Sequence, residues 1–128
     1  MPDTLHLPRS LVNQILHLAQ IAPGGRLAGF IGAKDGQPQS FHATSTHEGK
    51  REPALKALQA EGEMLFAILS SHPDSPAEPS PQELADPEFP DTPRLIISLN
   101  TQGVLELRGF QRSSPSAYEE IELVLSAA

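Results

Sequence analysis

A mixed β-sheet with helices packed against it, in an α+β or three-layer arrangement, is the fold class this sequence predicts. Three observations carry that prediction. Apolar residues recur at helical spacing in two segments and as short strand-like runs in the others. The predicted order is strand, helix, hairpin, helix, strand, long loop and a three-strand meander, which interleaves the two element types. The length, 128 residues, suits one core and leaves little room for a second.

Thr4 to Leu7 alternates as a short strand. Pro8 suits the first turn of a helix, where its missing N–H costs nothing. Leu11, Ile15 and Leu18, flanked by Val12, Leu16 and Ile21, form the apolar stripe of that helix, and Pro23-Gly24-Gly25 stops it. Arg26 to Ala33 reads as a buried strand, Asp35-Gly36 as a turn, and Gln39 to Ser45 as the second strand of the hairpin. A polar stretch leads to a helix from Glu52 to Gly62 with Leu55 and Leu58 inward, then to an apolar strand from Met64 to Ser70. Pro73 to Pro93 holds seven of the thirteen prolines and reads as loop, with at most a short helix near Pro81 to Ala85. It is not a domain linker, because neither side has enough elements to close a core; residues 1–128 are one domain. Arg94 to Leu99, Val104 to Phe110 and Tyr118 to Leu125 complete the chain as strands, with turns at Asn100 to Gly103 and Ser113 to Ser116.

Composition excludes several functions. Net charge is −7, with nine basic and sixteen acidic residues, and the basic ones are scattered. That argues against a phosphate-tracking surface and hence against nucleic acid as a partner. The absence of cysteine removes disulfides, thiolate nucleophiles and thiolate zinc sites. The longest apolar run, Met64 to Leu69, is too short to span a bilayer, and the first residues lack a signal-peptide pattern. The expected location is cytoplasmic, with no membrane partner. The core is aliphatic, since there are five Phe, one Tyr and no Trp.

The chemistry should lie where His72 leaves a buried strand and enters the proline-rich loop, a common way to present a ligand or a base. Alone, one histidine is more simply a strand-end residue, because zinc usually needs three protein ligands. His42 and His47, the latter beside Glu48, could supply a substitute metal ligand, but without H-E-x-x-H spacing they read better as solvated hairpin histidines. His6 and His17 read as packing or surface residues. Gly24, Gly25, Gly29 and Gly32 form no phosphate loop, for want of a following Lys-Ser or Lys-Thr.

The segment from Ser70 to Glu83 nevertheless resembles the motif of JAB/MPN (JAMM) metallopeptidases of the short bacterial type: H-x-H, seven residues, then S-x-x-D. His72-Pro73, the seven-residue gap, Pro79-Ser80 and the acid at Glu83 fall in register. Arg26 to Gly32 is similar to that family's E-x-C-G-hydrophobic strand. The first helix, Gly62 to Ile68 and Leu95 to Leu99 are collinear with it too. The resemblance covers nearly the whole chain and implies a JAB/MPN-type, cytidine-deaminase-like mixed sheet flanked by helices.

In that family two His and one Asp hold zinc, a Glu is general base, and a Ser stabilises the oxyanion. Transferred by position, the ligand places are Ser70, His72 and Glu83, the oxyanion place is Ser80, and the base place is Arg26. Only His72 and Ser80 match. A hydroxyl is a poor zinc ligand beside imidazole, and a guanidinium accepts no proton while placing a positive charge beside a dication. No metal and no other cofactor are therefore expected. If Arg26 and Glu83 converge, the guanidinium fork suits an ion pair with the carboxylate in place of the metal.

The resemblance implies a catalytically inactive JAB/MPN-like domain, since site-deficient members act as scaffolds or partner-binding subunits and commonly pair through their helices as homo- or heterodimers. The implied partner is a protein, of the ubiquitin-like or sulfur-carrier type. Its recognition element would be the stiff proline-rich loop, Pro73 and Pro79 included. The competing reading is a JAMM isopeptidase whose non-standard site binds zinc or another metal through His72, Glu83 and waters or a residue from elsewhere.

Overall fold

The computed structural model describes residues 4–44, 52–79, 91–99, 105–114 and 117–126. Seven strands and two α-helices occur among them: β1 (Thr4–Pro8), α1 (Arg9–Ile21), β2 (Ala28–Lys34), β3 (Gln37–Ala43), α2 (Glu52–Ala60), β4 (Met64–His72), β5 (Arg94–Ser98), β6 (Glu106–Ser114) and β7 (Ala117–Ser126). They form one sheet in the order β1-β7-β6-β5-β4-β2-β3. The β1–β7 and β4–β5 pairs are parallel and the other four antiparallel, so the sheet is mixed as expected.

Strand alternation builds the three layers. Neighbouring residues of a strand point to opposite faces. In β2, Ile31 joins a core with Leu11, Val12, Ile15 and Ala19 of α1, shared with Ala67, Leu69, Leu95 and Ile97. Its neighbour Phe30 joins the other face, with Ile68 and with Ala54 and Leu58 of α2. A third cluster beside that one places Ala77 over Ile96 and Phe110. The central strand β5 is buried along its whole length because it has cover on both faces.

Local chemistry explains the element ends. Asp35 (φ 51°) and Gly36 (φ 78°) both adopt positive φ, the type I′ geometry of a tight hairpin. Gly29 carries no side chain because the Phe41 ring lies across it; a Cβ there would stand 2.4 Å from the ring. Gly62 (φ 75°) closes α2, with its N–H bonded to the Gln59 carbonyl and the Glu63 N–H to the Leu58 carbonyl. That is a Schellman turn, with Glu61 and Glu63 on either side of its glycine.

Several expected bounds shift. Pro8 ends β1 and precedes the first residue of α1 rather than lying within its first turn. The second strand starts at Ala28, not Arg26, because the Arg26 N–H is taken by the Pro23 carbonyl in a 3-10 turn and the Leu27 N–H by a side chain. Its partner begins at Gln37 and ends at Ala43, since the two-residue turn starts pairing at once. α2 ends at Ala60, and β4 continues to His72. β6 runs to Ser114, beyond the expected Phe110. The turn expected over Ser113 to Ser116 is narrower, because a register shift between Arg112 and Ser114 lets Ser114 pair with Ala117. The expected helix near residues 81–85 and the turn at 100–103 lie outside the described residues.

Candidate functional site

One end of the sheet gathers the 3-10 turn at Pro23–Gly25, Arg26, the end of β4, the end of β5 and the start of the proline-rich loop. Ser71 binds these parts together. Its hydroxyl donates to the Gly25 carbonyl at 2.6 Å and accepts the Leu27 N–H at 2.6 Å, while its own N–H donates to the Leu27 carbonyl. Gly25 (φ 71°) lies so close to Leu99 and Pro73 that a Cβ would stand 2.7 Å from Leu99 Cδ1 and 3.1 Å from Pro73 Cβ. Only glycine combines that backbone with that proximity.

The loop leaving β4 is tied down residue by residue. The Leu99 N–H donates to the His72 carbonyl, and the Ser98 hydroxyl donates to the Ser75 carbonyl at 2.7 Å. His72 Nδ1 lies 2.9 Å from the Pro76 carbonyl. A carbonyl only accepts, so Nδ1 carries the proton of that bond. Ala77 is fully buried in the cluster with Ile96 and Phe110. From Pro73 to Pro79 the loop is therefore a fixed shelf on the sheet, although its prolines alone say only that it is stiff.

Removing the Ser71 hydroxyl should be felt here. Ser71→Ala leaves the Leu27 N–H and the Gly25 carbonyl without their partner in a half-buried place, which costs about 1–2 kcal/mol. Urea unfolding measures it. An unchanged midpoint would show that water replaces the hydroxyl at no cost.

Of the residues singled out in the sequence, Ser70, His72, Arg26, Pro73 and Pro79 fall among the described ones; Ser80 and Glu83 do not. The Arg26–Glu83 ion pair lies outside them with Glu83. Ser70 and His72 alternate with Ser71 and so share one face of β4, the face of Ile68. Both are half-buried, and Arg26 is exposed at the same end. Among the described residues there, one imidazole and one hydroxyl do not by themselves supply the three protein ligands that zinc usually takes.

His42 corrects an expectation. It is not a solvated hairpin histidine: it sits within β3, its side chain is 14% exposed, and its Nε2 lies 2.8 Å from Glu63 Oε1. His47 lies outside the described residues, while His6 and His17 are exposed. Burial pushes the Glu63 carboxyl up, but hydrogen bonds from His42 and Ser40 and the charges of His42 and Lys34 outweigh it and hold the group below its ordinary value. Sequence reasoning missed Glu63, Ser40 and Ser71. Two signals were present: Ser40 and His42 alternate onto one strand face, and Glu61-Gly62-Glu63 flanks the glycine that ends a helix.

No helix among the described residues is long and apolar enough to cross a membrane. No protein-family model matches the chain. No curated protein matches it either. Solved structures do. A protein from Desulfitobacterium hafniense superposes with a TM-score of 0.78 at 19% identity, covering 96% of this chain and 93% of that one. A JAB1/MPN domain protein from Archaeoglobus fulgidus gives 0.64 at 17% identity, with 94% and 99% covered. A third structure, described as JAMM, a metalloprotease-like zinc site in the proteasome and signalosome, gives 0.61 at 16% identity, with 96% and 98% covered. With the mixed sheet and its two flanking helices, these likenesses give the chain the JAB1/MPN fold.

Proposed function

We propose that this chain is a non-catalytic JAB/MPN-fold module that binds a protein partner through the shelf at the β4 end of its sheet. The observation that carries the reading is the residue set at that end. Where the resemblance calls for a base stands exposed Arg26, and where it calls for a first ligand stands Ser70. His72 is enlisted to hold the Pro76 carbonyl. A guanidinium cannot take the proton of an attacking water, so hydrolysis by the family's route has no base. The pinned loop supports binding instead, because a surface already ordered loses little entropy on association.

The partner class rests on the resemblance: a ubiquitin-like or sulfur-carrier protein presenting a C-terminal tail. Fold by itself does not establish that class. The test uses a carrier protein extended at its C-terminus by a peptide, mixed with the zinc-supplemented chain. Chemical-shift changes confined to the tail, with the peptide left attached, are the expected result. Release of the peptide that a chelator stops would overturn the non-catalytic reading, and an unchanged spectrum would overturn the partner.

A further inference from the structure

On the α2-covered face of the same sheet, where β3 runs past the start of β4, four polar side chains converge, with His42 level with Ile68 and so four β4 residues short of His72. They come from β3 (Ser40 and His42) and from the Schellman turn that ends α2 (Glu61 and Glu63). His42 Nε2 lies 2.8 Å from Glu63 Oε1, 3.5 Å from Glu61 Oε2 and 2.9 Å from Ser40 Oγ. Ser40 Oγ in turn lies 2.9 and 2.8 Å from the two oxygens of Glu63. We infer that His42, Glu61 and Glu63 form a binding site for a divalent transition ion such as Zn2+, separate from the place the fold family uses.

Proton arithmetic is the first argument. An imidazole Nε2 and a serine hydroxyl bring at most one proton each to this cluster, yet they face two carboxylates and one another. The contacts exceed the protons available to make them. A cation accepts all of these lone pairs at once. Ligand spacing agrees, since the three ligand atoms lie within 4.8 Å of one another. Tetrahedral zinc bonds of about 2.0–2.2 Å set ligand-to-ligand edges of roughly 3.3–3.6 Å. The His42–Glu63 contact at 2.8 Å has to open by about half an ångström to span such an edge, and the Glu61 side chain, 59% exposed, has room to swing in.

Charge is the second argument. The Glu63 side chain is 4% exposed, and its hydrogen-bond partners among the described residues are an imidazole and a hydroxyl, with the charge of Lys34 acting from outside the cluster. A buried carboxylate normally demands fuller compensation. With Glu61 alongside, the cluster stays net negative even when His42 is protonated. A dication reverses that deficit.

The third argument is the cradle. The pairing register shifts on both sides of Gly32, between Ile31 and Gly32 toward β4 and between Gly32 and Ala33 toward β3. A Cβ on Gly32 would stand 2.3 Å from Glu63 Oε1. Bulges and strand glycines of this kind mark places where a group must approach the backbone closely. The residue after a Schellman glycine commonly makes an apolar contact with the helix, yet here it is a carboxylic acid turned toward β3. One imidazole with two carboxylates favours a first-row transition ion over Mg2+ or Ca2+, which take all-oxygen shells.

The test is Zn2+ titration of the metal-stripped full chain by calorimetry, alongside Glu61→Gln, His42→Gln and His72→Ala. One equivalent of Zn2+ should bind the parent, and Glu61→Gln and His42→Gln should each weaken it about tenfold or more. Glu61→Gln is the decisive variant: its side chain is exposed, so its unfolding midpoint in chelator should equal the parent's. His72→Ala should bind as the parent does. No binding by the parent, or unchanged binding by Glu61→Gln and His42→Gln, overturns the site and leaves the proposed function standing. Binding lost in His72→Ala and kept in Glu61→Gln overturns the site and the non-catalytic reading together.

Discussion

Arg26→Glu, Ser70→His and Glu83→Asp, introduced together, are expected to raise zinc affinity at the β4 end by about two orders of magnitude. The comparison is best made in a His42→Gln background, so that the His42 cluster contributes nothing. Ser70 and His72 already share one face of β4, as two imidazole ligands on alternate positions require. Arg26 is exposed, so its exchange disturbs no packing. The triple change removes a cation, supplies a second imidazole and shortens the acid. Ser70→His alone should gain far less, because the guanidinium would still oppose a dication. A chelator competition assay reads the difference. Equal affinity in the triple variant and its His42→Gln parent would mean that this end of the sheet does not assemble the family's geometry.

That experiment separates two kinds of loss. A site that has lost ligands but kept its scaffold can be refilled, whereas one whose backbone has drifted cannot. The hydrogen bonds of Ser71, the close approach of Gly25 to Pro73 and Leu99, and the seating of Ala77 all describe a scaffold held in one arrangement. They favour recovery. His72 belongs to the same scaffold, since it fixes the loop through Pro76.

The fold was legible in the sequence because its signals were local. α1 announces itself through Leu11, Ile15 and their neighbours, and the hairpin through Asp35-Gly36. The positions Ser70 and His72 came from the resemblance to the JAB/MPN motif, whose members lie close together in the chain. The cluster at His42 offered no such pattern, for its two halves, Ser40 with His42 and Glu61 with Glu63, are 19 to 23 positions apart along the chain and meet only through the β2–β3 and β2–β4 pairings. Glu63 was hidden in another way. It borders an apolar strand and looks like a solvated acid, yet the bulges at Gly32 and the turn at Gly62 bring it inside. Ser71 was passed over because a serine between two motif positions carries no signal of its own. The bonds that make it matter reach back 44 and 46 residues.

Ile97→Ala is expected to lower the unfolding free energy by about 3–4 kcal/mol, within the range for truncating a fully buried Ile. Ile97 sits in β5, the middle strand of seven, with no exposed surface and α1 packed over it. Its neighbours Leu95, Leu69 and Ile15 belong to three different elements, so no single one can shift to fill the space without breaking a ladder or tilting a helix. The cost should therefore lie well above that of a truncation at the sheet's margin. For a domain of this length it corresponds to a fall of roughly 10–15 °C in the thermal midpoint. Met64→Ser is the matched control: its side chain is largely exposed, so the change should stay within about 0.5 kcal/mol. The loss at Ile97 should also reach the β4 end, because the adjacent Ser98 hydroxyl holds the Ser75 carbonyl of the shelf. Hydrogen exchange at residues 73–79 should rise in Ile97→Ala and stay unchanged in Met64→Ser. If exchange there stays flat while global stability falls, the shelf is held by its own contacts and not by the core beneath it.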